Sequence, residues 1–153
     1  MNAPTLKIPP VAQFLAVAAA MWLIAKYVPA LSVAIPARKV LVVMFFCLGG
    51  AVAIPGIKAF RAAGTTVDPR CPEKASSLVV AGVYRYSRNP MYLGLLCLLL
   101  AWALYLSNLL GLAGLPVFVL GMNRLQIRRE EAAMEALFGD EYRAYRQKVR
   151  RWI

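Results

Sequence analysis

Residues 40–60 read Val-Leu-Val-Val-Met-Phe-Phe-Cys-Leu-Gly-Gly-Ala-Val-Ala-Ile-Pro-Gly-Ile-Lys-Ala-Phe, and Lys58 is the sole charge in the run. A run this long and this apolar is the signature of a helix that crosses a bilayer. Gly49, Gly50, Pro55 and Gly56 interrupt it, which suits close helix packing or a kink, both tolerated in membrane helices. Working outward, similar blocks occupy residues 11–28, 90–107 and 109–125. Lys7 precedes the first block as in a secretory signal. The apolar run continues through Met21, Trp22, Leu23 and Ile24 without a clear cleavage site, so the block reads as a retained span.

The bulk numbers agree. Of 153 residues, 61% are hydrophobic and only 16% charged, whereas an average soluble domain is about a quarter charged. This excludes a disordered chain, a collagen-like chain and an ordinary soluble globule. The fold expected is all-α: an integral membrane bundle of four transmembrane helices in a single membrane domain over residues 1–153. A loop at 61–89 and a C-terminal helical segment at 126–153 complete it.

The net charge is +11. Lys7, Lys58, the 61–89 loop and the tail after Met122 hold most of the basic residues; the Ser107 turn holds none. A basic excess beside apolar blocks is juxtamembrane charge rather than a nucleic-acid surface. The positive-inside rule then places both termini and the 61–89 loop in the cytoplasm, in an inner or plasma membrane. Cys47 and Cys97 lie in apolar blocks and Cys71 in a polar loop; an odd count without CxxC spacing suits neither a disulfide framework nor a zinc site. No metal is expected. The chain has no His, so its chemistry must proceed without imidazole.

Two polar segments interrupt this apolar frame. Gly82-Val83-Tyr84-Arg85-Tyr86-Ser87-Arg88-Asn89-Pro90-Met91-Tyr92-Leu93-Gly94 leads into the third block, with Pro90 suited to a helix first turn. Asn123-Arg124-Leu125-Gln126-Ile127-Arg128-Arg129-Glu130-Glu131 leaves the fourth. In a helix Asn123, Gln126 and Glu130 share one face and Arg124, Arg128 and Glu131 an adjacent one. A polar stripe starting at membrane depth is costly unless it faces a cavity or partner. Asn, Gln and a carboxylate suit a ligand with hydroxyls and an amine, and a neighbouring Arg suits an acidic group. The alternative reading is an interfacial belt of Tyr and Arg followed by a solvated helix. Phe138-Gly139 should end the helix, and Asp140 can cap a last, amphipathic and interfacial helix running through Arg151.

The combined pattern G-V-Y-R-Y-S-R-N-P-M-Y (82–92), a hydrophobic hairpin, and R-x-x-x-R-R-E-E-x-x-x-x-x-L-F-G-x-x-Y-x-x-Y-x-x-x-V-x-R (124–151) resembles the isoprenylcysteine carboxyl methyltransferase and membrane phospholipid methyltransferase family. The resemblance covers roughly residues 65–151. It implies an S-adenosylmethionine-dependent methyltransferase, leaving S-adenosylhomocysteine as product. Carried across by motif, Ser76, Ser77, Leu78, Val79, Tyr84, Asn89, Pro90, Met91 and Tyr92 would line the cofactor. Glu130 would bind it, with Glu131 supporting. The family's substrate-side arginine falls on Gln126, so Arg124 or Arg128 would take its role; Asn89 stands where the prenylcysteine enzymes have His. Both departures point away from prenylcysteine. The resemblance leaves carboxylate, amine and thiol acceptors open, on a lipid or a small molecule. An NADPH-dependent membrane reductase of related fold is the alternative enzyme. A non-enzymatic membrane protein that binds lipid or a partner through its basic tail is the alternative without chemistry.

Overall fold

The computed structural model describes residues 8–64 and 76–153. Lys7, Cys71 and the 65–75 part of the polar loop lie outside the described residues. Among the described residues five α-helices follow in order: α1 (Pro10–Tyr27), α2 (Arg38–Ala62), α3 (Pro90–Leu106), α4 (Gly114–Gly121) and α5 (Arg128–Lys148). A π-helical turn, Met122–Ile127, joins α4 to α5 without a break, so the expected exit of the fourth helix into the tail is present. Among the described residues there are no strands, only an isolated antiparallel bridge between Ser32 and Asn108.

The first three helices begin and end within two residues of the apolar blocks. Pro10 and Pro90 each open a helix at its first turn, where the missing N–H costs nothing. The fourth block departs from expectation. Residues 109–113 form turn and 3-10 backbone, and regular α-helix starts only at Gly114. Asn108 causes this: its Oδ1 accepts from the Gly111 amide at 3.2 Å and its Nδ2 donates to the Val28 carbonyl at 2.8 Å. The local bond offers the backbone an alternative to helix.

α1 and α2 are long and apolar enough to cross a membrane; α3 is apolar but shorter, at 17 residues. Only 11% of the apolar stretch of α2 is buried, so it is no core helix of a soluble globule. Val40, Val43, Met44, Phe46 and Ile54 point outward, the pattern of a lipid-facing surface. Its inner face is made of small residues. A Cβ on Gly94 would sit 2.6 Å from Ala53 Cβ, and one on Gly49 would sit 2.9 Å from the Gly94 carbonyl oxygen. Only glycine allows α2 and α3 to approach this closely. Met21, Tyr92, Leu99, Ala103, Phe118, Met122 and Ile127 form the core between α1, α3 and α4.

The two ends of the bundle differ. At one, the α1–α2 and α3–α4 connections are stitched together: the Val33 amide donates to Ser107 O at 2.8 Å and the Leu109 amide to Leu31 O at 3.0 Å. At the other gather the end of α2, the segment 76–89, the π-helical turn, α5 and the C-terminal tail. Gly139, at φ 51° and ψ −121°, turns the chain within α5, as its sequence context predicts. The last helix stops at Lys148, and Val149 is already extended, short of the expected Arg151. The reason is that residues 149–151 give their carbonyls to Arg88 and Asn89 instead of to helix.

Candidate functional site

The site forms where α3 starts and α5 leaves the bundle. Tyr92 sits in the first turn of α3, buried at 7% exposure. Its hydroxyl donates to Glu130 Oε1 at 2.5 Å, and Gln126 Nε2 donates to the same oxygen at 2.6 Å. Both donors therefore land on Oε1, and Oε2 takes neither bond. Gln126 is buried in the π-helical turn, and such turns occur often at functional sites because they re-aim side chains.

Tyr84 completes this group. It lies in a 3-10 turn (Gly82–Arg85), is 3% exposed, and packs edge-on against Phe60 with ring centroids 5.3 Å apart. Its hydroxyl finds no hydrogen-bond partner among the described residues. A buried hydroxyl without a partner carries a real free-energy cost, about 1–3 kcal/mol, and calls for an explanation. Gly56 makes room for it: a Cβ there would lie 3.5 Å from that hydroxyl and 3.2 Å from Met91 Cγ. The Tyr84 carbonyl accepts from the Tyr145 hydroxyl at 2.7 Å, which ties the turn to α5.

The adjacent carboxylates are set apart by their surroundings. Burial holds the Glu130 carboxyl above its usual range, against the hydrogen bonds from Gln126 and Tyr92 that favour the charged form. Glu131 is also desolvated, but Arg151 and Arg88 overcome that and hold it below the usual range. Arg151 contacts both Glu131 oxygens, at 3.0 and 2.6 Å, and Arg88 reaches Oε1 at 2.7 Å. Burial pushes the Tyr84 hydroxyl up, with Tyr145 and Glu130 adding to it. Burial and pairing thus push two neighbouring carboxyls in opposite directions.

Of the residues expected to form the site, Tyr84, Tyr92, Gln126 and Glu130 come together. Pro90 is buried and Met91 half-buried beside them. Asn89 turns aside: its Nδ2 donates to the Arg151 carbonyl at 2.9 Å. Glu131 is likewise taken up by its two arginines. Ser76 and Ser77 donate to the carbonyls of Gly64 and Ala63 at the end of α2, and Leu78 and Val79 are half-buried after them. Arg124 and Arg128 stand exposed, off the face that carries Gln126 and Glu130. Asn123 shares a face with Gln126 in an ideal helix, but its Oδ1 accepts from Trp152 Nε1 at 3.1 Å. Sequence reasoning did not place Arg88, Arg151 and Trp152 in the site. The closing V-x-R of the tail motif was the available signal for Arg151. Among the described residues no group of three or more His, Cys, Asp or Glu is gathered to hold a metal ion.

Comparisons with known proteins find two relatives and a family. An uncharacterized protein of Haemophilus influenzae is 57% identical over 63 residues, 41% of this chain and the whole of the relative. A protein-S-isoprenylcysteine O-methyltransferase of Schizosaccharomyces pombe is 33% identical over 72 residues, 47% of this chain and 30% of that protein. No solved structure matches. The sequence model of the family described as phospholipid methyltransferase matches residues 37–141, from the start of α2 into the last helix and across Tyr84, Tyr92, Gln126 and Glu130. The apolar helices and this match together mark a membrane protein, and the chain belongs to the phospholipid methyltransferase family.

Proposed function

We propose that the protein is an S-adenosylmethionine-dependent methyltransferase acting on a carboxylate, amine or thiol of a lipidic or small acceptor at the cytoplasmic membrane face. The observation that carries this is the occurrence in one site of two groups, Glu130 and the Tyr84 hydroxyl. One is a desolvated carboxylate whose Oε1 is held by two donors; the other is a buried hydroxyl with no partner. The donor set fits the cofactor: a carboxylate for its cationic groups, a hydroxyl for its polar ones, and aromatic faces of Tyr84, Tyr92 and Phe60 nearby. When bound, S-adenosylmethionine supplies an electrophilic methyl group on a sulfonium.

The chain's residues then act mostly by positioning. Tyr92 and Gln126 fix the orientation of Glu130 before any ligand arrives, which lowers the entropy lost on binding. Tyr84 and Met91 close the site toward α2. A carboxylate or thiolate acceptor needs no general base, so a site without imidazole suffices. A lipidic acceptor can reach this end of the bundle from the bilayer, since the site sits where apolar helices end. The four-span arrangement with both termini cytoplasmic belongs to the same proposal and rests on the basic residues around 61–89 and the tail. Calorimetric titration of the detergent-purified protein with S-adenosylhomocysteine tests the reading. Saturable binding near one equivalent is expected; no heat with folded protein rejects it.

A further inference from the structure

The match to the family ends at residue 141, yet a polar network ties residues 146–152, beyond it, to Arg88, Asn89, Asn123 and Glu131 within it. Arg88 ties down the end of the chain: its Nη1 donates to the carbonyls of Arg146 at 3.0 Å and Val149 at 2.6 Å and its backbone amide to Arg150 O at 3.0 Å, while its Nη2 donates to Glu131 and its buried Nε meets no partner among the described residues. Asn89 adds Arg151 O at 2.9 Å. From the other side, Arg151 grips Glu131 in a two-point contact, and Trp152 Nε1 donates to Asn123 in the π-helical turn at 3.1 Å. Trp152 also packs on the hydrophobic core. Residues 149–152 thus lie as an irregular, non-helical strap that joins the segment before α3 to the helix carrying Glu130.

The charges make this more than packing. The Glu131 side chain is only 10% exposed and Arg88 only 9%. Buried charges persist when paired with good geometry, and losing one partner leaves the rest uncompensated. Glu131 directly follows Glu130, so the strap fixes the start of α5 and with it the Glu130 carboxylate. Arg88 and Asn89 precede Pro90, so the same strap fixes the turn that holds Tyr84 and the first turn that holds Tyr92. The three groups proposed to meet the ligand come from separate parts of the chain, and the strap joins those parts.

We propose that Arg151 and Arg88, joined through Glu131, are positioning residues that use the C-terminal segment 149–152 to hold Tyr84, Tyr92 and Glu130 in register for ligand binding. This rests on the methyltransferase reading of the site, but the strap has a readout of its own. The test uses the full chain in detergent, as wild type, Arg151→Ala and Arg151→Lys, with S-adenosylhomocysteine as the probe. Binding is read by calorimetry, and backbone hydrogen exchange is read over residues 81–92. For Arg151→Ala the expected results are an affinity about tenfold weaker, the scale of one lost charge-assisted pair, and faster exchange at 81–92 without ligand. Arg151→Lys keeps the charge but not the two-point fork, so it should fall between. If Arg151→Ala does not fold, the graded loss in Arg151→Lys decides. Wild-type affinity with wild-type exchange in Arg151→Lys and Arg151→Ala overturns the proposal, as does weakened binding with unchanged exchange. A wild-type protein that binds no S-adenosylhomocysteine rejects the methyltransferase reading instead, and the exchange of 81–92 then decides the strap alone.

Discussion

Replacing Glu130 with glutamine should weaken ligand binding while leaving the protein as stable as before, or slightly more so. The amide is nearly isosteric, and its oxygen can still accept from Tyr92 and Gln126, which both bond Oε1 in the native site. What disappears is one negative charge. A cation ~5 Å from a carboxylate at an effective dielectric of about 20 gains about 3 kcal/mol. The site is half-buried, so screening reduces this to about 1.5 kcal/mol, roughly a tenfold loss of affinity. Stability moves the other way, because burial already disfavours the ionised carboxyl. The folded-state pKa of Glu130 lies above the unfolded value. Its contribution is therefore full below the unfolded pKa, near 4.3, and is lost as pH rises through the raised folded value. The glutamine variant lacks this loss and should melt at the same or a higher temperature above that pH. Binding of a cationic ligand should strengthen as pH rises through the same folded value, and the variant should lose that dependence. Calorimetry with S-adenosylmethionine across pH, beside thermal melts, checks both. Wild-type affinity in Glu130→Gln, or a pH profile identical in both proteins, would refute the assignment of Glu130.

Further outcomes follow from the same structure. Tyr84→Phe removes a buried hydroxyl that has no partner, so the variant should be as stable as wild type or up to about 1 kcal/mol more stable, with weaker S-adenosylhomocysteine binding; weaker stability with unchanged binding would contradict the role given to Tyr84. Gly94→Ala forces a Cβ to within 2.6 Å of Ala53 Cβ and should destabilise by about 1–3 kcal/mol in detergent melts. Gly50→Ala meets only Ile54 Cδ1 at 3.8 Å and should be near neutral; equal effects at the two sites would contradict the close crossing of α2 and α3. Glu131 has a depressed pKa, so its stabilisation is present above the unfolded value and is lost as pH falls through the folded one. Glu131→Gln should therefore be destabilised at neutral pH and show a flatter acid limb in melts from pH 7 to pH 3; a parallel limb would contradict the pairing.

Much of the frame is legible in the sequence because its determinants are local. The runs that become α1, α2 and α3 are continuous, and Pro10 and Pro90 mark two of their starts. Gly139 was readable as a break because a positive φ there favours glycine. The motif that joins Asn-Pro-Met-Tyr to Glu-Glu also singles out Tyr92 and Glu130, which the fold brings into hydrogen-bond contact. The rest depends on contacts far apart in the chain. The π-helical turn changes the phase between Asn123 and Glu130, so an ideal helical wheel pairs Asn123 with Gln126, whereas the fold gives Asn123 to Trp152. Asn89 and Glu131 read as ligand-binding groups by type, but Arg88 and Arg151 claim them from 43 and 62 residues away. No periodicity encodes such pairings. The delayed start of α4 has the same origin, since Asn108 is held by Val28 across the bundle.

The most direct test of the whole account is transfer of labelled methyl from S-adenosylmethionine by the purified protein in vesicles made from bacterial lipid extract. The account predicts label in a lipid-phase or small-molecule product with the wild type, and at least tenfold less with Glu130→Gln, about the factor worked out above. Label that never exceeds the protein-free control, with wild-type protein that binds S-adenosylhomocysteine and a full set of carboxylate, amine and thiol acceptors, would contradict it.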